Sequence, residues 1–160
     1  MDLKKFKQQA KSKRAENKKF FRRLKGVNPK KLDKEFHELH DEAFSHIDCL
    51  TCANCCKTTG PLFTDRDISR LSKYLSLKDS AFINKYLRVD EDGDHVLQQV
   101  PCPFLGDDNY CSVYEVRPKA CREYPHTDRK KMHQILDITR KNVEVCPAVF
   151  EISEELKKRV

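Results

Sequence analysis

Four thiols fall within eight residues, Cys49-Leu50-Thr51-Cys52-Ala53-Asn54-Cys55-Cys56, and no other stretch restricts so tightly what this chain can fold into. Two residues between Cys49 and Cys52, and again between Cys52 and Cys55, let the backbone curl until nearby sulfurs converge on one ion, as in metal knuckles. Cys55 and Cys56 are different. Adjacent side chains diverge, by about 180° in extended chain and roughly 100° in a helix, so this pair is poorly placed to grip one ion side by side. The two thiols are expected to serve different metals or different faces of one polynuclear cluster. Either way the run needs sulfurs from elsewhere, and Cys102, Cys111, Cys121 and Cys146 supply them. Eight thiols complete two four-thiolate sites, expected to be interleaved, with the early run contributing to each and the late four completing both.

The composition makes a metal useful. At 160 residues the chain has the length of one ordinary domain. Its charged fraction of 36% and mean hydropathy of −0.77 leave less apolar material than most domains of that size bury. A structural zinc contributes roughly 10 kcal/mol or more of binding free energy coupled to folding, which offsets a thin core. The N-terminal Met-Asp-Leu-Lys-Lys-Phe-Lys has no apolar export region, and no run approaches the ~18 apolar residues of a membrane span. The expected location is the cytoplasm, where thiols stay reduced and eight cysteines read as ligands. The alternative, a disulfide-stapled secreted domain, has 105 possible pairings and nothing in the sequence that selects one.

Charge is segregated. Residues 1–38 hold 14 Lys+Arg against 5 Asp+Glu, a balance of +9, so the net charge of +7 sits entirely in the N-terminal quarter. We read residues 1–28 as a basic helical N-terminal arm and 29–160 as the cysteine-cluster metal-binding domain. The arm offers contact with an acidic partner or with nucleic-acid phosphates. Its incomplete apolar stripe of Phe6, Ala10, Phe20, Phe21 and Leu24 favours a frayed, solvated helix instead, since charge runs are usually just solvated.

The remaining elements follow from periodicity and turn chemistry. Leu32, Phe36, Leu39, Ala43, Phe44 and Ile47 recur at steps of three and four, predicting an amphipathic helix that delivers the cysteine run. His37, His40 and Asp41 lie on that helix, but eight thiols leave them little reason to ligate. Thr64 with Asp67 forms a capping box ahead of Ile68, Leu71 and Leu75. Ser80 to Leu87 reads as another short helix. Asp92-Gly93 between Arg88-Val89 and Val96-Leu97 predicts a β-hairpin. Cys111 and Cys121 bracket a helix broken at Pro118, with Arg117 and Arg122 able to offset thiolate charge or simply to form surface ion pairs. Cys146-Pro147 opens a last helix, and His126 and His133 stay outside the site. The expected fold is mostly α with a small β-hairpin, an irregular α+β domain stapled by metal.

The set Cys49-x-x-Cys52-x-x-Cys55-Cys56, Cys102-Pro-Phe-Leu, Cys111-x-x-Tyr114-x-x-Arg117-Pro118-x-x-Cys121-Arg122-x-Tyr124-Pro125 and Cys146-Pro147 closely resembles the YkgJ-like CxxCxxCC cysteine-cluster family, described as zinc- or iron-chelating. The resemblance implies that all eight cysteines are ligands and that the cofactor is zinc or iron, an iron–sulfur centre included. It says nothing of the basic arm. Three functions compete: a metal-binding protein with a structural, storage or delivery role; an iron-dependent enzyme that modifies a protein or peptide; and a nucleic-acid-binding zinc module. Against the third, aromatics are sparse in the arm and no helix-turn-helix or finger spacing is present. No Gly-rich phosphate loop occurs and no catalytic residue can be placed, so any catalysis would belong to the metal centre.

Overall fold

The computed structural model describes residues 2–160 and contains, among them, ten α-helices and one three-stranded antiparallel sheet. Two compact units are distinguished among the described residues, one formed by residues 2–48 with Pro125–Val160 and the other by Cys49–Tyr124. We call them the flanking and the central unit.

In the flanking unit α1 (Leu3–Ser12) starts at Asp2, whose carboxylate accepts from the amides of Lys4 and Lys5; α2 (Arg14–Leu24) follows directly. Asn28 caps α3 (Pro29–Phe44) in the same way through the Lys30 and Lys31 amides, with Pro29 in the first turn, where its missing N–H costs nothing. α3 ends at Phe44, short of Ile47, as the Ser45 hydroxyl donates to the Glu42 carbonyl. α9 (Leu136–Asn142) and α10 (Pro147–Arg159) complete the unit.

The apolar stripe of the basic segment is not solvated. Phe6, Ala10, Phe20, Phe21 and Leu24 are all buried, α2 packs on α9, and the Phe6 ring meets Phe150 of α10 edge-on at 5.7 Å. Acidic side chains of the same unit take up part of the charge: Lys13 pairs with Glu154, Arg14 with Glu144 at 2.6 Å, and Lys25 with Asp137 at 3.4 Å. Five aromatic or aliphatic anchors thus convert an expected frayed helix into two packed ones, and the solvent-screened pairs add little.

The central unit opens on two short helices, α4 (Cys49–Cys52) and α5 (Asn54–Thr58), joined at Ala53, which is buried in the left-handed region at φ 49°. A non-glycine residue there costs about 1 kcal/mol, and the kink breaks what would be one helix into two turns that carry two cysteines each. α6 (Asp65–Tyr74) has the expected capping box, Thr64 and Asp67 exchanging backbone-to-side-chain bonds of 3.1 and 2.9 Å. α7 (Asp79–Tyr86) leads into β2 (Leu87–Val89), which pairs with β3 (His95–Leu97) across the Asp92-Gly93 turn. β1 (Leu62–Phe63) adds to the other edge of β3, placing Leu62 opposite Val96. Phe63, Ile68, Leu71, Phe82, Leu87, Leu97, Phe104 and Val113 form the core of this unit, and Cys102 and Cys111 pack against it. The last helix of the unit is α8 (Lys119–Glu123).

Asp67 is 1% exposed and fully engaged. Burial pushes its carboxyl up, but the Thr64 amide, the Arg70 guanidinium, the Lys119 amide and the Thr64 hydroxyl outweigh burial and leave it below the usual carboxylate range. A folded-state pKa below the unfolded value of about 3.9 stabilises the fold above that pH and loses the contribution as pH falls through the folded value. The stability difference between wild type and Asp67→Asn should therefore shrink as pH drops from about 5 to about 3. Urea unfolding of the two proteins side by side checks this, and a difference indifferent to pH contradicts it.

Candidate metal centre

Three local devices shape the cysteine-bearing segments of the central unit. The first is the α4–α5 turn pair, which ends with Cys55 and Cys56 on α5. The second is the Cys102–Leu105 turn, closed by the Leu105 amide on the Cys102 carbonyl at 3.1 Å, with Pro103 at the position where its fixed φ is favoured. That turn is tied to the first device, since the Cys102 amide donates to the Cys56 carbonyl at 2.8 Å. The third is the Gly106–Asn109 turn, which returns the chain so that Cys111 bridges Leu105 and the Ser112 amide reaches the Phe104 carbonyl at 2.8 Å. Cys121 arrives on α8 after a 3₁₀ turn at Tyr114–Val116 and an extended Arg117–Pro118 pair.

Four sulfurs from these devices act on one another. The charge of Cys56 raises Cys102, Cys111 and Cys121, and Cys121 feels Cys102 and Cys111 as well. Burial is nonetheless the larger cause: it pushes Cys102 up to about 11 and Cys121 to about 12, and it raises Cys111 too. Cys56 is the exception. A hydrogen bond with the Cys55 thiol outweighs burial and, with Lys57 nearby, brings it down to about 7. Cys56 is thus the most acidic thiol of the four, and burial disfavours the anionic form of the other three.

Several groups around the cluster favour the anionic sulfur. The amides of Phe104 and Leu105 point at Cys102, and that of Val113 at Cys111. Arg117 lowers both Cys111 and Cys121 by its charge, while its Nη1 donates to the Tyr114 carbonyl at 2.8 Å and its guanidinium lies 4.0 Å from the centroid of the Tyr114 ring. Its influence is electrostatic, exerted from a fixed perch. Such outer groups orient ligands and tune their basicity. A half-buried four-sulfur donor set with amide donors and one cation fits zinc or iron, both of which four thiolates suit, and either metal would displace the thiol protons on binding.

Of the other sequence-predicted ligands, Cys49 is exposed, Cys52 half-buried and Cys146 buried at the start of α10. Cys52, Cys56, Cys102, Cys111 and Cys121 carry free thiols. His37 and His40 are engaged within the flanking unit, His37 with the Arg129 carbonyl at 2.8 Å and His40 with the Thr127 hydroxyl at 2.7 Å. A separate acidic group, Asp90, Asp92 and Asp94, brings three carboxylates within 4.8 Å at the hairpin turn, where Asp90 accepts from the amides of the other two. The sequence singles out Asp67 only as part of a helix-capping box and does not single out Arg70 at all. In the structure they reach across to the segment that carries Cys121.

Among known proteins, a family model matches residues 48–147, and its description is CxxCxxCC, "Putative zinc- or iron-chelating domain". That span runs from the residue before Cys49 to the residue after Cys146 and takes in every cysteine of the chain. No curated protein and no solved structure matches. No helix among the described residues is long and apolar enough to cross a membrane.

Proposed function

The chain belongs to this zinc- or iron-chelating family, and from that premise we propose that it is a cytoplasmic metal-binding protein in which cysteine thiolates hold zinc or iron. What supports the reading is the family match over residues 48–147, together with the backbone bond that ties the Cys102 turn to Cys56, the Cys102 amide donating to the Cys56 carbonyl at 2.8 Å. Cys56, Cys102, Cys111 and Cys121 are the ligands of one site. Cys49, Cys52, Cys55 and Cys146 are proposed as ligands on the family motif and the count of eight. The bound metal supplies the cross-link that a thin core lacks. Arg117 and the amides of Phe104, Leu105 and Val113 oppose the burial that disfavours the anionic sulfurs, and a bound metal would complete their deprotonation. Reduced thiols of this number suit the cytoplasm.

Metal analysis with a visible absorption spectrum, on protein purified without oxygen, tests the reading. Stoichiometric zinc in a colourless protein, or iron with thiolate-to-iron colour, is the expected result, and the colour separates single zinc ions from an iron or iron–sulfur centre. Reduced, folded protein carrying neither metal in stoichiometric amount overturns it.

A further inference from the structure

Every buried backbone amide and carbonyl needs a partner, and the segment Val116–Lys119 cannot supply its own. Arg117 and Pro118 sit at φ −54°, ψ 152° and φ −55°, ψ 150°. That is polyproline geometry, which makes no internal hydrogen bonds. Pro118 has no N–H to offer, and its carbonyl is taken by the amides of Cys121 and Arg122 at 2.9 and 3.1 Å. Three groups are left over: the carbonyls of Val116 and Arg117 and the amide of Lys119.

All three go to one turn of α6. Arg70 Nε donates to the Val116 carbonyl at 3.2 Å, and Arg70 Nη2 donates to the Arg117 carbonyl at 3.0 Å and to Asp67 Oδ1 at 2.8 Å. The same Asp67 oxygen accepts from the Lys119 amide at 3.1 Å. Lys119 is the first residue of α8 and has no cap from its own neighbourhood, so a carboxylate of another helix caps it. Asp67 is itself locked by the capping box, and the Ile68 and Leu71 side chains that anchor its helix are buried in the core.

We propose that Asp67 and Arg70 are positioning residues for the metal site: together they fix Val116–Lys119, so that Cys121 and the Arg117 cation meet Cys56, Cys102 and Cys111. The inference rests on the four-thiol reading given above. It goes beyond that reading by assigning to α6, which has no cysteine, a share of the metal affinity. The planar guanidinium is required because it serves two successive carbonyls and a carboxylate at once; lysine, a single point donor, cannot.

Competition with a chelator, read through cobalt(II) bound in place of the native metal, tests it. Groups that support metal ligands are worth about 10–100-fold in affinity. Arg70→Ala and Arg70→Lys should weaken cobalt by that factor and reduce the sulfur-to-cobalt charge-transfer intensity, which reports the thiolates on the metal. Ile68→Val, a core change in the same helix, should lower stability and leave both readouts at their wild-type values. Arg70 variants that match wild type in affinity and spectrum overturn the proposal. If wild type itself shows no sulfur-to-cobalt band, the four-thiol reading fails first, and the two failures are told apart. Should Arg70→Ala not fold, Arg70→Lys and amide exchange in wild type decide: the Lys119 amide should be protected by its bond to Asp67, and exchange at the rate of an open amide overturns the clamp.

Discussion

Chelating the metal under reducing conditions is expected to abolish the cooperative unfolding transition. The apolar material is limited: mean hydropathy is −0.77 and 36% of residues are charged, and the core of the central unit comprises eight buried side chains. The segments that carry the cysteines contain little regular structure. Between Leu97 and Lys119 they are built of turns, a single bridge at Leu105–Cys111 and one 3₁₀ turn. Ordering such chain costs about 1–2 kcal/mol per residue, with few ladder bonds to offset it. Four-thiolate zinc returns roughly 10–16 kcal/mol, about the whole net stability of an ordinary domain. Calorimetry before and after chelation, with the thiols kept reduced, measures the change. An apo-protein that melts in one transition at an unchanged temperature would show that the metal is not structural.

Much of the secondary structure was legible because it is locally encoded. The Thr64–Asp67 capping box, the Asp92-Gly93 hairpin, the α3 stripe and the Pro147 start of α10 each depend on residues within a few positions of one another. The features that escaped depend on distant partners. β1 is two residues long, and only its place beside β3 makes it a strand. The five apolar residues of the basic segment look too sparse for a packed helix until the partners in α9 and α10 are known. Ala53 in the left-handed region has no glycine to announce it.

The candidate site divides along the same line. Spacing identified all eight cysteines as one class, and the motif from Cys49 to Pro147 pointed to the family that matches. How the cysteine segments are joined is a tertiary matter, set by the Cys102 amide on the Cys56 carbonyl and by the Gly106–Asn109 turn. The clamp of Asp67 and Arg70 on Val116–Lys119 spans about fifty positions, and no periodicity records it; Asp67 bonds Lys119 at a separation of 52 residues.

Cys56→Ser and Cys121→Ser are each expected to weaken one metal site by about 100-fold, and the double variant by little more. Sharing roughly 10–16 kcal/mol among four sulfurs assigns about 3 kcal/mol to each, and 1.4 kcal/mol is a factor of ten. Serine keeps the size of the side chain and gives up the thiolate, so packing is nearly preserved while the ligand is lost. The two cysteines come from opposite ends of the central unit, Cys56 from α5 and Cys121 from α8, yet the charge of one raises the other. If they hold the same metal, removing either disables the site, and the second removal has little left to disable. The effects then fail to add, as expected for residues that act as a unit. Metal content per protein and chelator competition, measured on both single variants and the double, give the coupling directly. Residues serving separate metals would instead lose one equivalent each and two together, and that outcome would divide the four-thiol set proposed here.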